Sequence, residues 1–502
     1  MPPKRPNFLV FCADQMQSAC LGCNGNEGIE TPNIDALAAG GTTFRRAYVN
    51  NSVCQPSRAS MITGKTPRQH GLLTNGCCLS EDVPTLTGAV AQAGYRTHAV
   101  GKLHLQPFGG GGLGDAEQSW EEAGAWNEGR IERLPRPYYG FQTADFVGGH
   151  VSYAFGDYRN WLKENHPDAV EKLRQSEAYH RLGRAWRMDL PGELHYNRWI
   201  ADRTIEFLQE QQGDEPFFLF CSFPDPHFPY AACRPYSEMY DPGEMLLPAT
   251  WQETRDPCEA LRRARDGMPQ HEVPDENELR EITAQTYGMI SHVDENIGRV
   301  LSALDEQGGA EDTVVVLMGD HGEYLGSHGL LHKGPWPYEE LWRVPFVWRV
   351  PGGAPPDRVV HIPVSLLDFA PTIAALAGLG SDWHDQRGLV PEKRSDLPGR
   401  SLMPLIGGEK ETHQPSIIEY DEDWHAETPL CRLRGIVDGD WKLVMWAGFE
   451  EGVLYNLAED PNEENNRWND PSAQGEKTAL LARLTECLAR TDRFDTTRIC
   501  GA

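Results

Sequence analysis

The chain has no long hydrophobic run and comparatively little positive charge. None of its apolar stretches approaches the 18 or so residues that a membrane-spanning helix needs, so we expect no membrane association. Lys and Arg number 46 against 74 Asp and Glu, a net charge of −28. This argues against nucleic acid as a partner, because binding to a phosphate backbone needs basic surface. A small anionic substrate is compatible with this charge, since it feels mainly its own pocket.

Cysteine is too sparse for a disulfide-stabilised scaffold, and no leader peptide is evident. The 12 cysteines are scattered over 502 residues, whereas small secreted scaffolds are far denser in cysteine. Cys20 and Cys23 form one CxxC pair and Cys77 precedes Cys78. These could bind a metal or form a redox pair, but the sequence has no second CxxC pair to complete a zinc site. The apolar run at residues 8–13 is too short for a secretory signal. We therefore predict a cytoplasmic protein whose thiols mostly serve packing.

Apolar runs alternate with helical patterns over most of the chain, which is typical of an α/β fold with a mostly parallel sheet between helices. Apolar or β-branched runs predict strands at residues 7–12, 95–101, 216–223, 312–319 and 343–350. Helical periodicity predicts helices that include residues 195–211, 290–304 and 365–379.

After about residue 410 the pattern changes to that of a small α+β domain. The pair Asp438-Gly439 is a turn signal typical of hairpins. We therefore divide the chain into a main domain at residues 1–410 and an antiparallel-sheet plus helix domain at residues 411–502. Strands and one helix are predicted in the second domain at 415–420, 430–437, 441–446 and 473–490.

Residues 105–193 show little periodicity. The stretch contains a glycine run at 109–112 and many aromatic residues. Irregular surface structure and an insertion that covers the substrate both fit this composition. The aromatic residues could line a sugar or quaternary-ammonium pocket, although such residues are more often core. The candidate pocket residues are Trp120, Trp126, Tyr138, Tyr139 and Trp161.

Polar residues directly follow four of the predicted strands. In open parallel sheets, ligands bind beyond the carboxyl ends of the strands, so we expect these residues to lie together. Each alone has an ordinary explanation as a turn cap or a solvated side chain, but four groups at equivalent positions favour a functional site. They are Asp14-Gln15, Lys102 with His104, Asp225 with His227, and Asp320-His321 with Glu323.

A second cluster is CQPSRASMITG at residues 54–64. Pro56 suits the first position of a helix and Gly64 suits its C-terminal stop, which places Cys54 at or just before a helix N-terminus. Backbone N–H groups and the helix dipole favour an anion there, and Arg58 could add a bidentate contact. A buried structural cysteine beside a surface arginine would explain the spacing equally well.

The same segment resembles the C-x-P-S-R signature of type I sulfatases, in the alkaline-phosphatase-like superfamily, with the A-S-x-x-T-G that usually follows. Other segments resemble the family in the family's order, so the resemblance extends along nearly the whole chain. They are TPNIDALAAGGTTFRRAYV at 31–49, GKLH at 101–104, PHFP at 226–229, the helix at 287–301, GDHGE at 319–323, Lys333 ahead of YEE, and LYNL with EDP at 454–461.

The resemblance implies an alkaline-phosphatase-like fold, with a mixed, mostly parallel sheet between helices, and sulfuric ester hydrolase activity in the domain at 1–410. It also implies that a formylglycine-generating enzyme converts Cys54 to Cα-formylglycine. The aldehyde hydrates to a geminal diol, of which one hydroxyl attacks sulfur. Deprotonation of the second hydroxyl then releases sulfate, whereas a serine would be trapped as a stable sulfate ester.

The resemblance implies a divalent cation beside that nucleophile. Its ligands would be Asp14, Gln15, the group derived from Cys54, Asp320 and His321. A ligand set rich in oxygen suits Ca²⁺ best, with Mg²⁺ and Mn²⁺ as alternatives. The cation would polarise the diol and neutralise charge on the transferring group.

The remaining matched residues take roles by the same resemblance. Two lysines would bind the sulfate oxygens, one histidine would act as a base, and another would protonate the leaving group. Lys102 and Lys333 are the sulfate-binding pair; Arg58 and His104 would stabilise the hydrated aldehyde, with His104 a candidate base; His227 would protonate the leaving group; and Asn75 would add a polar contact.

One departure from the family keeps other activities open. Many sulfatases have two consecutive aspartates where this chain has Asp14-Gln15, and Asp-Gln also occurs in choline-sulfatase-like enzymes and phosphonate monoester hydrolases. Hydrolysis of phosphonate monoesters or phosphodiesters is therefore the alternative, although the pair Lys102 and His104 favours sulfate. A silent anion-binding relative would need an unconverted Cys54, and a two-zinc phosphatase would need a Ser or Thr nucleophile. The organic part of the substrate, whether sugar, choline-like, alkyl or aryl, and the oligomeric state stay open.

Overall fold

A central sheet organises the molecule. The computed structural model describes residues 5–491 apart from 110–118, 181–183, 212, 214, 254–255, 274, 354, 381, 385–396, 410–413 and 423–430. The strands are β1 Asn7–Ala13, β2 Thr42–Phe44, β3 Ala47–Tyr48, β4 Arg96–Gly101, β5 Thr143–Gly148, β6 Phe155–Gly156, β7 Met188–Pro191, β8 Phe217–Phe223, β9 Cys233–Arg234, β10 Thr313–Gly319, β11 Arg343–Val344, β12 Phe346–Arg349, β13 Arg358–Val360, β14 Val364–Ser365, β15 Ser416–Glu422, β16 Cys431–Asp438, β17 Trp441–Trp446 and β18 Val453–Asn456.

Helices cover both faces of this sheet. They are α1 Pro32–Ala39, α2 Cys54–Thr63, α3 Pro67–His70, α4 Leu86–Gln92, α5 Ala123–Asn127, α6 Asp157–Asn165, α7 Pro167–His180, α8 Tyr196–Gln209, α9 Glu259–Gly267, α10 Glu276–Glu306, α11 Glu339–Trp342, α12 Phe369–Leu376, α13 Met403–Ile406 and α14 Gln474–Thr491. Among the helices of the described residues, none combines the length and apolarity that crossing a bilayer requires.

The main sheet contains nine strands within the described residues, in the order β13-β2-β12-β10-β1-β8-β4-β5-β6. Strand β1 lies in the middle and pairs in parallel with β8 and β10, and β4 continues the parallel part. Alternate residues of β1 face opposite cores: Val10 belongs to the core that includes residues of α2 and α12, and Phe11 to the core that includes residues of α8 and α10. This confirms the α/β fold with a mixed, mostly parallel sheet.

The structure corrects three details predicted from the sequence. The predicted strand at 343–350 is two strands, β11 and β12, in different sheets, because Pro345 between them has no N–H to donate to a ladder. Cys54, not Pro56, begins α2; proline is tolerated there because the first N–H groups of a helix have no intrahelical acceptor. The weakly periodic stretch supplies β5 to the main sheet, so it is not only surface structure.

A four-stranded antiparallel sheet, β15-β16-β17-β18, forms the C-terminal part of the chain. One face, which includes Tyr420 and Trp446, joins the core of the main domain. The other face, which includes Ile436 and Leu443, packs against Leu480 and Leu484 of α14. The smaller α+β domain predicted from the sequence is therefore present, and the boundary predicted between residues 410 and 411 lies outside the described residues.

A buried cationic contact joins the two sheets. Lys442 on β17 is 0 % exposed, and its Nζ donates to Pro337 O at 2.7 Å and to Glu339 Oε1 at 3.0 Å. Glu463 also lies beside this ammonium group, but burial raises its pKa to about 8. Lys442 and Glu339 are therefore the charged pair of the cluster, and removing either partner would leave a buried charge without compensation.

We predict that Lys442→Met lowers the free energy of unfolding by about 3–5 kcal/mol, because it leaves the Glu339 carboxylate buried and unpaired. Urea unfolding of the full chain measures this. The control is Arg483→Met, which removes the surface pair with Glu486 at 3.2 Å and is expected to cost less than about 1 kcal/mol. Equal stabilities of the two variants would contradict the prediction.

Candidate functional site

Polar side chains from five neighbouring strands meet at one edge of the main sheet. Asp14 follows β1 and Asp320 follows β10, which pair in parallel. Lys102 follows β4, His227 lies on the loop after β8, and His150 lies just after β5. The carboxyl ends of these parallel strands point the same way, so the side chains that the sequence placed after strands converge.

Four of the predicted metal ligands form one buried group. Asp14, Cys54, Asp320 and His321 each offer one ligand atom, and these four atoms all lie within 4.8 Å of one another. His321 Nδ1 donates to Gly322 O at 2.8 Å, which leaves Nε2 as the ring nitrogen that faces Asp14 Oδ1, at 3.5 Å. Two carboxylates and an imidazole nitrogen at this spacing suit a divalent cation.

Gln15, the fifth predicted ligand, is oriented by Glu323. The Gln15 amide nitrogen donates to Glu323 Oε2, so the amide oxygen is fixed on the other side. That oxygen and Asp14 Oδ1 are both buried and have no hydrogen-bond partner among the described residues. Buried acceptors without partners are rare and costly. A cation bound between Asp14 and Gln15 would satisfy both, and the donor set therefore fits the metal that the resemblance implies.

Cys54 lies at the N-terminus of α2, beside one imidazole and one ammonium group. Its Sγ lies 3.2 Å from His321 Nε2 and accepts from Lys333 Nζ at 2.6 Å. Lys333 Nζ also donates to His227 Nε2 at 2.9 Å. The predicted nucleophile position thus lies between the metal-ligand group and the Lys333–His227 pair.

Arg58 and Lys102 bind the carboxylates from the other side. Arg58, 2 % exposed, donates from Nε to Asp320 Oδ2 at 2.6 Å and from Nη1 to Ser222 Oγ at 2.9 Å. Lys102 Nζ donates to Asp14 Oδ2. These contacts fix the two carboxylates in orientation.

His104 and Asn75 lie next to this centre without a hydrogen bond to Cys54. The His104 ring stacks on Phe108 with centroids 3.9 Å apart, and its Nδ1 is buried with no hydrogen-bond partner among the described residues. Asn75 Oδ1 accepts from the backbone N–H of Gln55 at 3.1 Å. Asn75 therefore supports the first turn of α2, and its polar contact with the substrate stays a prediction.

His150 also lies in this site and was not predicted from the sequence. Its ring stacks on His227 with centroids 3.7 Å apart, and its Nε2 accepts from Lys102 Nζ at 3.2 Å. With Asp14 and His227 it forms a second group of potential ligand atoms. Like the other site residues that follow strands, His150 is a polar residue just after a strand. However, β5 is only half buried, and its sequence pattern did not predict a strand.

Electrostatic interactions keep this centre in a defined protonation state. Burial would raise the pKa of Asp14, but the cations Lys102 and Arg58 hold it well below its usual value. Burial and Asp14 raise the pKa of Cys54, yet Lys102, Lys333 and His321 bring it below that of an ordinary thiol. Burial lowers the pKa of His227 well below its usual range, and His150 and Lys333 lower it further. The site therefore presents carboxylates and cations around a neutral His227.

Comparison with known proteins identifies the family. The sequence matches the Sulfatase family over residues 6–379 and the family "N-sulphoglucosamine sulphohydrolase, C-terminal" over residues 326–490. The chain belongs to the sulfatase family. This confirms the resemblance on which the sequence analysis relied, including the relation to the alkaline-phosphatase-like superfamily, and it establishes the chain as a sulfatase enzyme.

Relatives of this sulfatase include enzymes with different substrates. An arylsulfatase of Clostridium perfringens is 29% identical over 487 residues, which cover 93% of this chain and 90% of that enzyme. A choline-sulfatase of Rhizobium meliloti is 28% identical over 494 residues, 96% of this chain and 86% of that one. The crystal structure of the phosphonate monoester hydrolase of Agrobacterium radiobacter superposes with a TM-score of 0.78 at 25% identity, covering 97% of this chain and 96% of that one.

We predict that Glu323→Gln weakens metal binding by this sulfatase about 10–100-fold, the usual cost of changing a group that orients a ligand. The new amide nitrogen would face the Gln15 amide nitrogen and turn the Gln15 oxygen away from Asp14. Equilibrium dialysis of Ca²⁺ against the full chain measures the affinity.

The matched control for this variant is Glu419→Gln, a buried carboxyl on β15 that accepts from the backbone N–H of Arg68. This variant is expected to leave the Ca²⁺ affinity within about twofold of the parent, because a side chain that does not contact a metal ligand does not orient that ligand. An unchanged affinity in Glu323→Gln would contradict the orienting role of Glu323.

Proposed function

We propose that this protein hydrolyses organic sulfate monoesters to an alcohol and inorganic sulfate, with Cα-formylglycine made from Cys54 as the nucleophile. The observation that carries the proposal is the position of Cys54 at a helix N-terminus. Its sulfur is one of four clustered potential metal-ligand atoms, and it also lies beside the Lys333–His227 pair. Formylglycine supplies a geminal diol, whose second hydroxyl allows sulfate to leave without attack of water on sulfur. Maturation requires a formylglycine-generating enzyme as partner.

The metal group supports this chemistry. A divalent cation, Ca²⁺ in preference to Mg²⁺ or Mn²⁺, would polarise the nucleophile and neutralise charge on the transferring group. Asp14, Gln15, Asp320 and His321 are the side chains proposed to hold it, together with the group at position 54. Their role as ligands draws support from the unpartnered oxygens of Asp14 and Gln15.

The proposed substrate contacts come from the lysines of the site. Lys102 and Lys333, 0 % and 6 % exposed, donate to the sulfate oxygens, and their burial strengthens each charged hydrogen bond. Arg58 holds Asp320 and stabilises the hydrated aldehyde. His104, whose Nδ1 has no partner, is the proposed base for the release of sulfate, while Asn75 supports the first turn of α2.

The Lys333–His227 pair is proposed to handle the leaving group. His227 Nδ1 donates to Phe228 O at 2.5 Å, so Nε2 faces the site and accepts from Lys333. Lys333 is then a proton source for His227 and for an ester oxygen placed between them. A proton delivered here stabilises the departing alkoxide, which matters most for alcohols of high pKa.

Hydrolysis of phosphonate monoesters or phosphodiesters is the second candidate. The similarity to the phosphonate monoester hydrolase of Agrobacterium radiobacter, at 25% identity over almost the whole of both chains, favours it, and so does the pair Asp14-Gln15. Sulfate esters rank first because the enzymes named arylsulfatase and choline-sulfatase are somewhat more similar in sequence. Those two names also place aryl and choline-like sulfates among the candidate substrates.

A cytoplasmic location stays our prediction for this enzyme. It is supported by the eleven cysteines of the described residues, which are all free thiols, as expected in a reducing compartment. Neither nucleic acid nor a membrane is proposed as a partner.

We predict that co-expression with the maturing enzyme makes the peptide that contains residue 54 about 18 Da lighter, whereas other oxidations of cysteine add mass. Cys54→Ala is expected to abolish turnover and leave the fold intact, because the nucleophile is lost. Mass spectrometry and turnover of 4-nitrophenyl sulfate and phenylphosphonate monoesters on one preparation measure both.

The control variant is Cys487→Ala on α14, which is expected to retain full activity. Full activity in Cys54→Ala would overturn the mechanism. A converted residue 54 with faster turnover of phosphonate than of sulfate would establish the second candidate in place of the first.

We predict that His227→Ala slows hydrolysis of an alkyl sulfate about 10²–10⁴-fold, as expected for loss of proton transfer, and slows 4-nitrophenyl sulfate much less. The reason is that 4-nitrophenolate leaves without a proton. The ratio of the two kcat/KM values is the measurement, and the exposed variant His361→Ala should leave this ratio unchanged. A uniform loss on both substrates would assign His227 to binding alone.

A further inference from the structure

A second cluster of metal-ligating side chains lies outside the site described above. His195 precedes α8, Cys233 lies in β9, and His292 lies in the middle of α10; they are 1 %, 1 % and 3 % exposed. One potential ligand atom from each lies within 4.8 Å of the other two. Three segments that are far apart in the sequence therefore bring two imidazoles and a thiol to one buried point.

The spacing of these atoms fits a tetrahedral zinc site. Zn²⁺ bonds of about 2.3 Å to sulfur and about 2.0 Å to nitrogen place neighbouring ligand atoms roughly 3.3–3.6 Å apart. Cys233 Sγ lies 3.2 Å from His292 Nδ1, and the amide nitrogen of Asn197 lies 3.5 Å from the same atom. The cluster can close around an ion with small side-chain movements.

Two polar atoms of this cluster have no partner. His195 Nε2 and Asn197 Oδ1 are fully buried and form no hydrogen bond with the described residues. Such atoms pay a desolvation cost that a ligand would remove. His195 Nδ1 accepts from the backbone N–H of Asn197 at 3.3 Å, so binding of a metal through Nε2 would move the ring proton to Nδ1 and release that contact. The Asn197 oxygen belongs to the amide that already borders His292, so it offers a fourth donor beside the two imidazoles and the thiol.

The charges around the cluster also suit a divalent cation. His292 Nδ1 lies beside the Cys233 thiol and the Asn197 amide, so its lone pair faces the centre of the cluster. Binding would displace the proton of the Cys233 thiol to solvent and leave a thiolate. Asp225, 1 % exposed, accepts from Asn197 Nδ2 at 2.8 Å. The thiolate of Cys233 would balance one of the two positive charges of the ion.

We propose that His195, Cys233 and His292, with Asn197, bind a zinc ion as a structural site separate from the candidate active site. The ion would join the start of α8, strand β9 and helix α10 into one unit. Asn197 and Tyr196 also hold Asp225, two residues before His227. The zinc would thus fix the base of the loop that carries His227 into the candidate active site, without taking part in the reaction.

The test uses the full chain with Cys54→Ser, because Cys54 could itself supply a thiolate to a soft metal. The protein is stripped with chelator, loaded with Co²⁺ or Zn²⁺, and analysed by elemental analysis and absorption spectroscopy. We expect two equivalents of metal and a near-ultraviolet thiolate-to-Co²⁺ charge-transfer band. Adding Cys233→Ala should remove the band and one equivalent.

The control is Cys221→Ala in the same background, another buried thiol, which should keep the band and both equivalents. If Cys233→Ala does not fold, X-ray absorption at the zinc edge on the Cys54→Ser chain decides the matter, since the site predicts one sulfur at about 2.3 Å. Absence of the band and of a sulfur ligand in Cys54→Ser, or a band that survives Cys233→Ala, would overturn the proposal.

Discussion

The candidate site depends on one buried guanidinium. Arg58 donates to Asp320 Oδ2, to Lys102 O and to Ser222 Oγ, and its Nη2 lies 4.0 Å from Asp14 Oδ2. It thereby joins the carboxyl ends of β1, β4, β8 and β10. Two carboxylates on adjacent strands repel each other, and the guanidinium of Arg58, which is never deprotonated, lies beside both and offsets that repulsion. Arg58 therefore allows the two carboxylates to lie close together even when no metal is bound.

The C-terminal sheet contributes to the same site from a distance. Asn51 Nδ2 donates to a carbonyl oxygen of β15 at 2.7 Å, three residues before Cys54. Lys442 on β17 binds Pro337 O, four residues after Lys333. Both segments that carry groups to the nucleophile position are thus fixed by the antiparallel sheet. The C-terminal sheet therefore fixes two segments that carry candidate site residues, and its inner face is part of one continuous core.

Several residues of this site were predictable from the sequence because they directly follow strands with apolar runs. Asp14 and Asp320 stand directly after β1 and β10, so strand periodicity alone places them at one edge. His150 escaped notice because β5 is half exposed and its pattern is weak. The orienting role of Glu323 depends on its contact with Gln15, 308 residues away in the chain. Such side-chain pairings arise from tertiary packing, which a single sequence does not encode locally, whereas strand ends and helix starts have local signals.

The charge of the site bears on the choice between sulfate and phosphonate esters. Both are tetrahedral monoanions, so the positive field of the site attracts both despite the net charge of −28 for the whole chain. They differ in the number of oxygens available. A sulfate ester presents three non-bridging oxygens, whereas a phosphonate monoester presents two and a carbon substituent. Lys102 and Lys333 are almost fully buried, and hydrogen bonds from such ammonium groups to anionic substrate oxygens are strong. A site with two buried lysines and a metal group is satisfied by three oxygens, and this argument supports the sulfate ester as the substrate.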